Sequence, residues 1–178
     1  MAKSWLLIFF WGTSFFCAQR IEWNAQEKLT WDQFRAPKNL KSKNDNSAAY
    51  SYCGISYNVT KSSLNDGEAQ VTVKAIFLED KSWKKTADPG AYLLQHEQLH
   101  FDIAEVFARK MRKMIREKIK TSKDFDRYFK SEYHAIFKSY QAFQSVYDQD
   151  TKNSIIPIKQ QAYNRKVAQM LQDLSDYQ

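Results

Sequence analysis

Two hydrophobic periods divide the chain. Residues 48–60, AAYSYCGISYNVT, alternate and are rich in Tyr and β-branched residues, which predicts a strand. Residues 69–79, AQVTVKAIFLE, set Val71, Val73, Ala75 and Phe77 on one face and predict the next strand. Asp66-Gly67 between them is a turn signal, so the two runs are expected to pair antiparallel. Gly54 inside the first run predicts a bulge or a close backbone approach.

Beyond Asp88 the period lengthens to that of a helix. Asp88-Pro89 is a start signal: a capping carboxylate, then proline at the first helical position. Leu93, His96, His100, Ile103, Phe107, Met111 and Met114 recur at helical spacing, and this helix is expected to reach Lys120. A second helix is expected from Ser122, with Phe125, Phe129, Ile136, Tyr140, Phe143 and Tyr147 as its stripe, broken by DQDTKNS. Pro157 opens a third, carrying Ile158, Ala162, Val167, Met170, Leu171 and Leu174. Ahead of the strands, LTWDQFRAP reads as a short ordered segment in which Thr30 caps a helical turn, and polar residues 38–47 read as a loop. Strands first and helices afterwards predict an α+β domain: a small antiparallel sheet, a long helix and two further helices.

The 178 residues are 43% apolar and show no internal repeat, which suits one domain. That domain is expected to span residues 19–178. Residues 1–18 read as a signal peptide: Lys3, the apolar run WLLIFFWG, then small residues before a cut after Ala18. The run is short for a membrane span, so no stable span is expected once it is removed. The expected location is secreted or periplasmic; a lipid anchor on Cys17 ranks second, because SFF before it matches a lipoprotein signal poorly. The net charge of +7 falls to +6 on loss of Lys3. Cys53 is then the lone cysteine and reads as a small buried residue in a strand.

The chemistry concentrates in the first helix. His96-Glu97-x-x-His100 places two imidazoles at i and i+4 on one face, about 6 Å apart at Cβ, where both can bind one Zn²⁺ ion. Glu97 points about 100° round the helix, too far for a ligand but suited to a general base acting on water held by the ion. A catalytic zinc needs three protein ligands and one open position. Glu105 faces away, and Asp102 suits an outer position beside the ligands. His134 reads as a packed or surface histidine. Asp148 and Asp150 lie where the second helix ends, and an antiparallel return would bring that end back to His96. Asp148, next to buried-looking Tyr147, is the first choice for third ligand; Glu132 is a weaker one. Tyr147 itself reads as core rather than as an oxyanion donor.

On LTWDQF, AAYSYCGISY, HEQLHFDIAEVFARK and YDQDTKN, the chain resembles a family of predicted secreted bacterial zinc-dependent proteases, catalogued largely as a domain of unknown function. The resemblance covers most of the mature chain. It implies peptidase activity on a peptide or protein substrate. The family pattern resembles Tyr-Asp-x-Glu-Thr-x-His-Gly downstream; here Tyr147, Asp148, Asp150 and Thr151 stand at the matching places, Asp150 where the pattern has Glu, while Asn153 and Ser154 stand where it has His and Gly. If that histidine is the third ligand, either Asp148 completes the site here or the site is weakened.

ARKMRKMIREKIKTSK is strongly basic, but no aromatics interleave the charges, so it reads as a solvated helix face and no nucleic-acid partner is expected. The strand ending near Leu78 is expected to offer an edge to which a peptide substrate adds. The resulting expectation is an exported zinc metallopeptidase. Its alternatives are another zinc hydrolase, such as a cell-wall peptide amidase, and a non-catalytic scaffold with a degraded metal site.

Overall fold

A computed structural model describes residues 20–37 and 47–178. The expected signal peptide of residues 1–18, with Cys17, and residues 38–46 of the expected loop lie outside the described residues.

The second alternating run becomes the middle of a three-stranded antiparallel sheet. Strands β1 (Arg20–Glu22), β2 (Ala49–Tyr50), β3 (Cys53–Lys61), β4 (Ala69–Leu78) and β5 (Trp83–Lys84) form two sheets, one in the order β1-β4-β3 and the other pairing β2 with β5. In β4, Ala69, Val73, Ala75 and Phe77 are buried on the face the alternation assigns to the core. Because β4 has a neighbour on each side, its edge is closed, and the expected addition of a substrate strand beside Leu78 does not hold. The three-residue β1 that covers it carries too short a pattern to be read.

The first alternating run is two strands, not one. It breaks at Ser51–Tyr52, and Gly54 sits in regular register opposite Ile76 without a bulge. Backbone groups at the break bond outside the ladder: Tyr52 N donates to Ser82 Oγ at 2.9 Å, and Cys53 N to the Ser51 carbonyl at 3.1 Å. The break turns Ser51 towards the helices.

Helix α1 (Ala91–Lys118) crosses the sheet and buries nearly every side of its middle, including Phe101, Ile103, Ala104, Val106, Phe107 and Met111. It starts later than Asp88-Pro89 implies. Gly90 caps it with φ 95°, a conformation glycine adopts freely, and Asp88 Oδ1 accepts from Gly90 N at 2.9 Å as an Asx turn ahead of the helix. Helix α2 (Ser122–Thr151) begins at a capping box in which Thr121 Oγ1 accepts from Asp124 N and Asp124 Oδ2 from Thr121 N. It runs back antiparallel to α1 and continues through DQDT, further than the polar run suggests. Lys152, Asn153 and Ser154 follow with φ of 50°, 51° and 74°, reversing the chain into α3 (Pro157–Asp173), with proline in its first turn as expected. Near the start of the described chain, Thr30 precedes a single 3-10 turn, Trp31–Gln33, and Thr30 N donates to Gln33 Oε1 at 2.8 Å. Among the described residues no helix is long and apolar enough to cross a membrane.

The basic stretch is not wholly a solvated face. Arg109 is buried, and both Arg109 and Arg112 donate to the buried Glu105 carboxylate at 2.9 Å. The same arginines donate to the carbonyls of Leu171, Tyr177 and Val73, so this charge cluster ties α1 to β4, α3 and the last turn of the chain. Lys113, by contrast, is exposed and pairs only at the surface.

Candidate metal centre

Helical spacing puts His96 and His100 one turn apart on α1, and the antiparallel return of α2 brings Asp148 onto the same spot. His100 Nε2 lies 3.0 Å from Asp148 Oδ1, His96 Nε2 lies 3.2 Å from it, and the two Nε2 atoms are 3.2 Å apart.

The residues around them fix which nitrogen is bare. Gln144 Nε2 donates to the His100 carbonyl at 2.9 Å, so its Oε1 faces His100 Nδ1, at 2.5 Å, as an acceptor. Gln160 Nε2 donates to Asn164 Oδ1, which leaves its Oε1 to accept from His96 Nδ1 at 2.9 Å. With both Nδ1 atoms carrying the proton, both Nε2 lone pairs point inward. Asp148 Oδ1 is then a buried acceptor with no donor. Three acceptor atoms in a triangle this small repel one another unless positive charge lies among them.

In the bare protein a proton supplies it. Burial opposes charge on His100, but the Asp148 carboxylate outweighs burial and raises the imidazole to about 9. Burial likewise disfavours the Asp148 anion, yet its contacts with His100 and His96 hold the carboxyl well below the usual carboxylate range.

A zinc ion fits the same triangle. Tetrahedral coordination at bond lengths of about 2.0–2.2 Å sets ligand atoms roughly 3.3–3.6 Å apart, a few tenths of an ångström beyond the spacing seen here. Two imidazole nitrogens and one carboxylate oxygen are also the donor set of catalytic rather than structural zinc, and these three residues are the group among the described residues able to hold an ion.

Glu97 is buried and lines, with His96, His100 and Asp148, a cavity of about 240 Å³. The segment through Ala49, Tyr50 and Ser51 also lines it, as does Asn153. Asn153 N donates to the Asp148 carbonyl at 3.0 Å, fixing the left-handed turn against the end of α2. Cys53 lines the cavity too, as the first residue of strand β3 and half-buried; burial raises its thiol well above the usual range, which keeps it protonated.

The remaining candidates lie elsewhere. Asp150 accepts from Tyr163 Oη at 2.8 Å. Asp102, expected beside the ligands, instead accepts from Trp23 Nε1 at 2.7 Å and Gln98 Nε2 at 2.8 Å on another face of α1. Glu132 pairs with Lys118, and His134 is exposed. Tyr147 is fully buried with its ring stacked on His96, and its hydroxyl donates within the core to Gln160 Oε1 at 2.7 Å, away from the cavity. Ser51, Gln144 and Gln160 escape the sequence reading. Gln144 had a signal, since it lies four residues before Asp148 on the same helix face; Ser51 and Gln160 had none.

Neither a curated protein nor a solved structure matches the chain. Residues 30–154, which contain both histidines, Glu97 and Asp148, match a family found in bacteria, and the chain belongs to that family, described as "Bacterial protein of unknown function (DUF922)".

Proposed function

We propose that this protein is an exported zinc-dependent peptidase in which His96, His100 and Asp148 hold Zn²⁺ and Glu97 is the general base. The observation that carries this reading is the triangle of three bare acceptor atoms, 3.0–3.2 Å on a side, beside a buried carboxylate in one cavity. When bound, zinc polarises a carbonyl and lowers the pKa of water. The protein's own share is orientation and proton movement. Gln144 and Gln160 hold the rings so that Nε2 faces the ligand point. Glu97, with Oε2 held by Ser51, accepts the proton of the attacking water and returns it to the leaving nitrogen. Tyr147 packs on His96 and keeps water from that side of the ring.

The test is zinc content and turnover of the purified protein, the His96→Ala/His100→Ala double variant and Glu97→Gln. About one zinc per wild-type chain, none in the double variant, and a Glu97→Gln protein that keeps zinc but loses turnover are the expected results. Unchanged turnover in Glu97→Gln would rule out the mechanism. A cell-wall peptide amidase would share this centre, and substrate profiling separates it from a protein peptidase.

One observation favours a second reading. Asn153 lines the cavity where the family pattern has histidine, which fits a non-catalytic scaffold with a weakened metal site. A folded wild-type chain that takes up no zinc would select that reading.

A further inference from the structure

Among the described residues, Glu97 has one side-chain partner, and it comes from the break between β2 and β3 rather than from a helix. Ser51 Oγ donates to Glu97 Oε2 at 2.5 Å. Both residues are buried, at 9% and 3% exposure. Ser51 is itself held from behind. Its carbonyl accepts from Cys53 N at 3.1 Å, and the next residue, Tyr52, is fixed at both backbone groups: N to Ser82 Oγ at 2.9 Å and O to Leu78 N at 3.0 Å. Ser82 is fully buried, and its hydroxyl donates to the Leu78 carbonyl at 2.7 Å. The hydroxyl of Ser51 therefore stands on a backbone anchored to β4.

The Ser51 hydroxyl also lies 3.4 Å from the Glu97 carbonyl, but the much shorter contact is to Oε2, which therefore takes its proton. A glutamate side chain on a helix turns about three bonds, and one fixed contact at Oε2 restricts them while the residue lines the cavity. His96 and His100 line that same cavity. We propose that Ser51 is the positioning residue for Glu97, aiming one carboxylate oxygen at the histidine pair by holding the other. The inference rests on the reading of Glu97 as general base. It also gives the interrupted strand a purpose, since the N–H groups of Tyr52 and Cys53 bond to Ser82 and Ser51 instead of extending the ladder.

Four full-length proteins test it: wild type, Ser51→Ala, Ser51→Thr and Glu97→Gln. Zinc content, kcat and KM on fluorescein-labelled casein, and crystal structures of wild type and Ser51→Ala are compared. Ser51→Ala is expected to keep its zinc and its KM, to lose about 10- to 100-fold in kcat, and to show the Glu97 carboxylate rotated from its wild-type position. Ser51→Thr, which keeps the hydroxyl, is expected to recover part of that loss. A Ser51→Ala protein with wild-type kcat and an unmoved Glu97 carboxylate would overturn the proposal. Equal turnover by wild type and Glu97→Gln would instead remove the general-base reading; the carboxylate position in Ser51→Ala still decides whether Ser51 aims it.

Discussion

Gln144 grips His100 at two points, donating Nε2 to its carbonyl and offering Oε1 to its ring Nδ1. The first contact dictates the second, because an amide that donates with nitrogen must present oxygen at its other side. Gln144→Leu removes both contacts and frees the ring to take the other tautomer. Zinc affinity is expected to fall about 10- to 100-fold with the fold retained, measured by competition against a chelator with circular dichroism alongside. Wild-type affinity in that variant would mean that the ring is fixed by something other than Gln144.

The two aspartates at the end of α2 are expected to behave differently. Asp148 completes the triangle, whereas Asp150 serves the Tyr163 hydroxyl. Asp148→Ala should weaken zinc binding by more than the roughly 10- to 100-fold that an outer partner is worth. Asp150→Ala should bind as wild type does. Titration calorimetry with zinc reads both, and a reversed order would move the third ligand to Asp150.

The zinc-free protein should carry a pH signature. His100 sits at about 9 when folded, above its ordinary value of 6.5, with burial opposing the shift and Asp148 driving it. Its contribution to stability is therefore fully present below about pH 6.5 and is lost as the pH rises through about 9. Asp148 is depressed, so its contribution is present above the ordinary carboxylate range of about 3.9 and is lost as the pH falls towards its lower folded value. Zinc must displace the His100 proton, so its apparent affinity should rise with pH up to about 9. Thermal melts of zinc-free wild type and Asp148→Asn across this range check the first part; a wild-type profile no steeper than the variant's would contradict it.

Glu105 holds two arginines in the interior, and its loss leaves Arg109 buried without a counter-charge. Glu105→Ala is expected to cost about 3–5 kcal/mol of stability. Lys113→Ala, which breaks an exposed pair with Glu117 and a distant contact with the Tyr177 ring, should change stability by less than about 1 kcal/mol. Urea denaturation of the two variants compares them directly, and equal midpoints would show that the buried cluster is dispensable.

Local period was enough to find β4, the three helices and the histidine pair, because each is set by spacing within one segment. Asp148 was reachable by one further step, the antiparallel return of α2. What stayed hidden was set by distant partners. The break at Ser51–Tyr52 depends on Ser82 and Glu97, and the closed edge of β4 depends on the three residues of β1. The interior role of Arg109 and Arg112 depends on carbonyls from Val73, Leu171 and Tyr177, none of which the basic run betrays.

The helical hairpin has a mechanical consequence. Helices α1 and α2 are each about 42 Å or more in length and are joined tightly at one end, residues 119–121. The candidate ligands gather near the other end, where His100 meets Gln144 across 44 positions and His96 meets Gln160 across 64. An ion seated there would staple the open mouth of a long loop, as a cross-link does, but reversibly. Chelation would then unfasten the hairpin from its mouth, and the left-handed turn at Lys152–Asn153–Ser154, which leads from that mouth to α3, is where a protease would cut first.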